Sequence, residues 1–327
     1  MISLGIESSA YVFGVGIIDD KGNVLADKRF FFKPEKGKGM IPREASEAFM
    51  KNAKSVLLDA LDEAKISIKD VDVISFTQGM GIPNNLRVGA TLARFLSIKY
   101  KKPLVGINHA LGHIEIGKFF TGAKDPVVLY LSGGNTQIIA ASGKRYRIFG
   151  ETEDIAIGNA LDALARKMGF EMPGGPKIEE LAKKGKYVKL PYVVKGMDVS
   201  FSGILTDAIR KLEKGIPKED IAYSFQETCF AMLTEATERA MAHTGKEELL
   251  LVGGVGANKR LRKMLKTMCK DRGATFYLTP LKYCGDNGVM TALVGLKYFK
   301  YGITTPLKNS GIRQKWRIDE IDIPWLH

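Results

Sequence analysis

Two histidines, His109 and His113, stand four residues apart in Asn108-His109-Ala110-Leu111-Gly112-His113. On a helix that spacing puts both imidazoles on one face, about 5–6 Å apart, where they can reach a single metal ion. The plain alternative is a pair packed for structure. No Glu follows His109, so the general base of a zinc metalloprotease is missing. Two imidazoles leave an ion under-coordinated, so oxygen ligands must come from elsewhere. Asp286, in Tyr283-Cys284-Gly285-Asp286-Asn287-Gly288, falls between a strand and a helix. Open α/β sheets gather site residues at such junctions, although an Asp there also suits an N-cap.

Three further stretches suit an anion. Tyr130-Leu131-Ser132-Gly133-Gly134-Asn135-Thr136 places paired glycines between two strands, where backbone N–H groups can nest a phosphate or simply turn a hairpin. Ser8 and Ser9 occupy the matching turn near the N-terminus and could offer opposing hydroxyls. Val252-Gly253-Gly254-Val255-Gly256-Ala257-Asn258-Lys259 leads from an apolar run into a basic helix, whose N-terminus favours anions. It lacks the third glycine of a dinucleotide fingerprint. Asp162 and Glu179 are candidate acceptors for ribose hydroxyls. Otherwise they are a solvated Asp and a Glu complementing the first turn of its helix.

These residues need a scaffold, and the chain describes it twice. Residues 2–7, 12–18 and 24–32 read as β-branched strands separated by Ser, Asp, Asn and Gly turns. Residues 127–132, 136–141 and 145–152 repeat the pattern. Two such meanders imply an internal duplication with a cleft between the halves. Helical periodicity predicts helices over 43–65, 86–100, 155–168, 218–243, 259–271 and 287–298. Short apolar runs predict buried strands at 71–76, 104–107, 249–252 and 275–278. The class is therefore α/β, with an N-terminal lobe over 1–122, a C-terminal lobe over 123–327, and an insertion or flap around 172–202.

Lys and Arg number 49 against 36 Asp and Glu, a net charge of +13. That surplus favours a polyanionic partner, or else a basic surface tuned for solubility. Three scattered cysteines, Cys229, Cys269 and Cys284, allow neither a disulfide framework nor a four-Cys zinc site. With no basic leader and no apolar run near 20 residues, the expectation is a cytoplasmic protein with no membrane partner.

Ten stretches carry a family resemblance: LGIESSAYVFGVGI, MIPREA, LRVGATLAR, INHALGHIEIG, VLYLSGGNTQ, YRIFGETEDIAIGNALD, PGGPKIEELA, VSFSGI, LLVGGVGANKRLR and YCGDNGVMTA. In this order, nearly end to end, they resemble the tRNA threonylcarbamoyladenosine synthases. The GHIEIG ending is similar to the archaeal and eukaryotic branch, the catalytic subunit of the KEOPS complex. The resemblance implies a duplicated actin-like/sugar-kinase/Hsp70 fold, two lobes around a nucleotide cleft.

It also implies a reaction, the transfer of threonylcarbamoyl from threonylcarbamoyl-AMP to N6 of the adenosine 3′ of the anticodon. The tRNAs concerned read codons beginning with A. His109, His113 and Asp286, with Tyr130 close by, would hold one divalent or ferric ion, iron or zinc. Tyr130, Leu131, Ser132, Gly133, Gly134 and Asn135 would meet the phosphates or the acyl group, with Ser8 and Ser9 opposite. Asp162, Gly175, Glu179, Gly254 and Asn258 would hold an ATP- or AMP-type nucleotide, with magnesium as an optional companion. Implied partners are tRNA, a small protein kinase, a dimerising subunit and a tRNA-binding subunit. Candidate tRNA contacts are Lys183, Lys184, Lys186, Lys189, Arg260, Arg262 and Lys263. The rival readings are a non-catalytic ATP- and nucleic-acid-binding scaffold and a metalloprotease.

Overall fold

The first chain segment turns back on itself through Asp19, whose Oδ1 accepts from the backbone N–H of Lys21 (3.0 Å) and Asn23 (2.8 Å). This side-chain turn joins strand β2 (Val12–Asp19) to β3 (Val24–Phe31), and β1 (Ile2–Glu7) pairs antiparallel with β2. Helix α1 (Pro42–Ala64) leads to β4 (Val73–Gly79), and α2 (Pro83–Tyr100) leads to β5 (Leu104–Asn108). Both helices start on a proline, which suits the first turn because its missing N–H would have no partner there. The first sheet runs β3-β2-β1-β4-β5, with β4 parallel to both β1 and β5. The computed structural model giving this architecture describes residues 1–34 and 39–326.

After β5, helix α3 (His109–Thr121) leads to a second meander, β6 (Val127–Leu131), β7 (Thr136–Ser142) and β8 (Arg145–Glu151). Four helices follow: α4 (Ile157–Lys167), α5 (Gly175–Ala182), α6 (Ser202–Glu213) and α7 (Lys218–Thr244). Between α5 and α6 lies a two-strand hairpin, β9 (Val194–Lys195) with β10 (Asp198–Val199). The stretch 172–202, read from sequence as an insertion, thus contains α5 and this hairpin. Strand β11 (Glu248–Val252), helix α8 (Lys259–Asp271), strand β12 (Thr275–Leu278), the single turn α9 (Leu281–Cys284) and helix α10 (Gly288–Lys300) complete the α-helices and β-strands of the described residues. The second sheet runs β12-β11-β6-β7-β8. Its antiparallel and parallel pairings repeat those of the first, strand for strand. The duplication expected from the two meanders is therefore present in the topology.

Packing divides the chain into two compact units, Met1–Ile116 with Asp286–His327, and Gly117–Gly285. The segment 286–327, assigned from sequence to the C-terminal lobe, thus belongs with the first sheet. Glycine is the reason. A methyl on Gly5 would lie 2.1 Å from the Ala292 nitrogen, and one on Gly16 would lie 2.2 Å from the Val289 nitrogen. Without side chains at those points, α10 lies backbone-to-backbone on β1 and β2. Helices α1 and α2 pack with β2, β3 and β4. Covered in this way, β1, β2 and β4 are almost continuously buried, as expected for strands with no solvated face.

The polypeptide beyond α10 is laced to the same unit. Gln78 Nε2 donates to the carbonyls of Asn309 (2.7 Å) and Gly311 (2.6 Å), and Asn108 Nδ2 donates to the carbonyl of Trp316 (2.8 Å). In the second unit, α7 contributes Phe225, Phe230, Leu233 and Ala236, all fully buried, to a core shared with β6, β11 and α4. No helix among the described residues is long and apolar enough to cross a membrane.

Candidate functional site

In the first unit, α3 begins at the C-terminal end of β5, the edge strand of the first sheet, where Asn108, His109 and His113 are all buried. Asn108 Oδ1 accepts from Leu111 N–H (3.2 Å), satisfying a donor of the first turn. The helix then presents His109 and His113 on one face, rings edge to face with centroids 4.8 Å apart. Both are buried. At the start of α10 the capping is done by Asn287, whose Oδ1 accepts from Met290 N–H (2.9 Å). Asp286, one residue earlier, is thereby released from the N-cap role that its position suggested.

Asp286 Oδ1 lies 3.2 Å from His113 Nε2 and 3.5 Å from His109 Nε2. One donor atom from each of the three residues falls within 4.8 Å of the others. The two His–Asp distances approximate the roughly 3.4 Å edge of a tetrahedron with bonds of about 2.1 Å. Two imidazoles and a carboxylate also suit iron or zinc by ligand type. The donor set therefore fits a metal ion.

Behind it stands a residue given no role in the sequence reading. Glu7, fully buried at the end of β1, places Oε2 3.2 Å from His109 Nδ1. Its Oε1 accepts from Ser9 N–H (2.6 Å), and Oε2 also accepts from the Thr77 hydroxyl (2.5 Å). A carboxylate on the far nitrogen of a ligating histidine fixes the tautomer and the ring orientation. A charged residue closing an apolar strand was the available signal.

The electrostatics are those of a mixed cluster. Burial opposes a charged His109, but the Glu7 and Asp286 carboxylates overcome it and raise the pKa to about 9. Burial dominates at His113, with the neighbouring His109 adding to it, and its pKa falls. Burial would raise the Asp286 carboxyl, yet His109, His113 and then Arg29 hold it below the usual range. Ser8 and Ser9, expected to face a ligand, are buried, and neither hydroxyl has a hydrogen-bond partner among the described residues. Ser8 Oγ lies against α2, where a methyl on Gly89 would come within 2.3 Å of it.

The second unit holds the remaining candidates. At the end of β6, Ser132 N–H donates to the Asn135 carbonyl (2.8 Å), and Ser132 Oγ accepts from Asn135 N–H (3.0 Å). Asn135 Nδ2 reaches the Tyr130 hydroxyl (3.3 Å). The paired glycines 133 and 134 lie in this closed turn, and space is open around Gly134. Gly158 of α4 must be glycine here, since a methyl would meet the Ser132 carbonyl oxygen at 2.4 Å. The loop after β11 is drawn to the same strand end: Gly253, at φ +90°, would place a methyl 2.2 Å from the Leu131 carbonyl oxygen.

Asp162 projects from α4 and accepts from Gly174 N–H (2.6 Å). Burial raises its pKa, against backbone hydrogen bonds from Gly174 and Gly175. Glu179 does not complement its own helix; it accepts from Lys259 N–H (2.8 Å) at the start of α8. Asn258 caps that helix, accepting from the N–H groups of Arg260 and Leu261 (2.9 and 3.1 Å), and donates to Gln226 (3.0 Å). Gly254, expected beside a nucleotide, has open space around it. Asp154, which the sequence reading gave no role, gathers the segment that leads into α6. It accepts from Phe201 N–H (2.9 Å), Ser202 N–H (3.0 Å) and the Ser200 and Ser202 hydroxyls. The VSFSGI stretch supplies the donors.

Comparison with known proteins bears on this arrangement. A family model described as tRNA N6-adenosine threonylcarbamoyltransferase matches residues 23–293. The chain is 57% identical to the Thermococcus sibiricus protein of that name, over 99% of this chain and 100% of the relative. It is 52% identical to a longer Methanobrevibacter smithii protein, named "Probable bifunctional tRNA threonylcarbamoyladenosine biosynthesis protein", of which it spans 61%. Among solved structures, Thermococcus kodakarensis HypF superposes with a TM-score of 0.65 at 16% identity, over 92% of this chain and 48% of that one. The fold is accordingly of the actin-like/sugar-kinase/Hsp70 type, and the chain belongs to the tRNA N6-adenosine threonylcarbamoyltransferase family.

Proposed function

We propose that this chain transfers a threonylcarbamoyl group from threonylcarbamoyl-AMP to N6 of the adenosine 3′ of the anticodon, with His109, His113 and Asp286 holding the metal ion. The observation that carries the site assignment is the meeting of two imidazoles and one carboxylate from distant parts of the chain. A bound iron or zinc ion supplies Lewis acidity to orient and polarise the acyl oxygen. Glu7 holds the His109 ring in register for that task.

Within the Ser132–Asn135 turn, Gly133 and Gly134 supply N–H groups to the phosphate of the leaving AMP, an electrostatic cradle of the kind that stabilises developing negative charge. Asp162 and Glu179 accept from ribose hydroxyls, and Asn258, Gly175 and Gly254 line the base. The attacking group is the tRNA amine, so no covalent intermediate on the protein is required. The thiols agree with this. Burial pushes Cys269 and Cys284 up to about 11 and raises Cys229 well above the ordinary thiol value, so none offers a thiolate at neutral pH. We assign the chain to the cytoplasm, working with a small protein kinase, a dimerising subunit and a tRNA-binding subunit. The archaeal and eukaryotic form of the histidine motif supports that assignment.

The test is nucleoside mass spectrometry of tRNA incubated with the protein, its partners and threonylcarbamoyl-AMP, alongside elemental analysis of the protein. His109→Ala should lose at least 100-fold in modified nucleoside and lose its metal. A variant that modifies tRNA at the wild-type rate would instead support a scaffold role for this site.

A further inference from the structure

Helix α8 carries six basic residues and a single acid, Asp271. One of the six is neutralised, Arg260 in a two-pronged pair with Glu227, and Arg272, just beyond the helix, lies 3.6 Å from Glu238. The other five, Lys259, Arg262, Lys263, Lys266 and Lys270, line one groove of about 870 Å³ between α8 and β12. Their spacing of three and four residues puts them in a single row, about one helical turn between successive charges. None has an ion-pair partner among the described residues; Arg262 donates only to the carbonyls of Ala257 and Asn258.

Such a row works against the helix. Lys259/Lys263, Arg262/Lys266 and Lys266/Lys270 are like-charge pairs at i,i+4, each of which destabilises an isolated helix. Acids relieve the opposite side and are missing from this one. The groove floor is Phe276 and Leu278, which point to the same face of β12. Among the described residues β12 pairs only with β11 and forms the sheet edge. A low-dielectric floor under charges of one sign focuses their field.

From this geometry we infer that the α8–β12 groove docks the phosphate backbone of the tRNA substrate. The inference rests on the tRNA-acceptor reading above. It also sorts the sequence candidates: Arg260 is held by Glu227 and Lys183 by Glu180, whereas Arg262 and Lys263 face the groove. Cations in contact with phosphates displace condensed counterions, so the logarithm of the binding constant falls linearly with the logarithm of salt. Each lost contact removes about 0.7 to 0.9 from the slope.

The experiment measures tRNA binding by the full chain as a function of KCl, for the wild type and for K263Q/K266Q/K270Q. These positions are exposed and glutamine keeps helix propensity; circular dichroism confirms folding. A second triple, K51Q/K54Q/K69Q, removes the same charge from exposed positions of the first unit. The groove triple should lose about 2 to 3 from the slope and about tenfold or more in affinity at moderate salt. The second triple should keep the wild-type slope, and K263R/K266R/K270R should restore it. Equal slopes in the two glutamine triples overturn the inference, as they would if the groove received an acidic protein segment instead. The readout is binding, not transfer. A wild type that binds with this slope yet never modifies tRNA would defeat the proposed activity and leave the groove standing. Modification accompanied by an unchanged slope in the groove triple would defeat the groove alone.

Discussion

Glu7 shows how a site residue can escape sequence reading. It ends an apolar strand, where a carboxylate ordinarily marks the return to solvent, yet it is fully buried and touches His109. The histidine pair was legible because four-residue spacing on a helix is a local property. Asp286 was legible only as a junction residue, because its partner His113 lies 173 positions away and only the topology unites them. Glu7→Gln keeps size and hydrogen-bonding capacity but removes the charge behind His109. Loss of such an outer carboxylate typically costs 10- to 100-fold in metal affinity. A chelator-competition titration should show a drop of that size, with the unfolding temperature of the metal-free protein nearly unchanged. Wild-type metal affinity in the variant would mean that Glu7 serves packing alone.

At the scale of elements, the decisive contact is α10 on the first sheet. Sequence periodicity located the helix but not its destination, since a glycine leaves no hydrophobic signature of what it packs against. Gly5, Gly16 and Gly288 do that work here. A methyl on Gly288 would come within 2.1 Å of the Gly16 nitrogen, and neither backbone can yield without lifting the helix. Asp286 precedes α10 by two residues, so its carboxylate moves with the helix. Gly288→Ala should destabilise the protein by about 1–3 kcal/mol or more, the usual scale of overpacking, and weaken metal binding as well. Gly285→Ala is the control: it neighbours Asp286, but nothing lies within 4 Å of its added methyl. Its melting temperature and metal affinity should match the wild type. Equal behaviour of the two variants would show that helix seating does not set the carboxylate. The meanders were easier to foresee, because alternating β-branched runs and Gly, Asn or Asp turns are written within a few residues.

For the whole molecule, the chain leaves the first unit within α3 and returns to it at Asp286. The three candidate ligands therefore stand at the two places where the chain crosses between units, and all of them belong to the first. An ion bound there links the start of α3 to the start of α10, and binding to the native form alone stabilises it by mass action. At 100 times the dissociation constant the gain is about 2.7 kcal/mol, which is about 100-fold in the opening equilibrium. The second unit is one contiguous stretch with its own core around α7 and contains none of the three donors. Native-state hydrogen exchange with and without zinc should therefore slow the globally exchanging amides of β1, β4 and α10 by up to that factor, while those of β6, β7 and β11 change little. Equal slowing in both sets would show that the two packing units unfold as one cooperative body, and no slowing in either would remove the metal from the first.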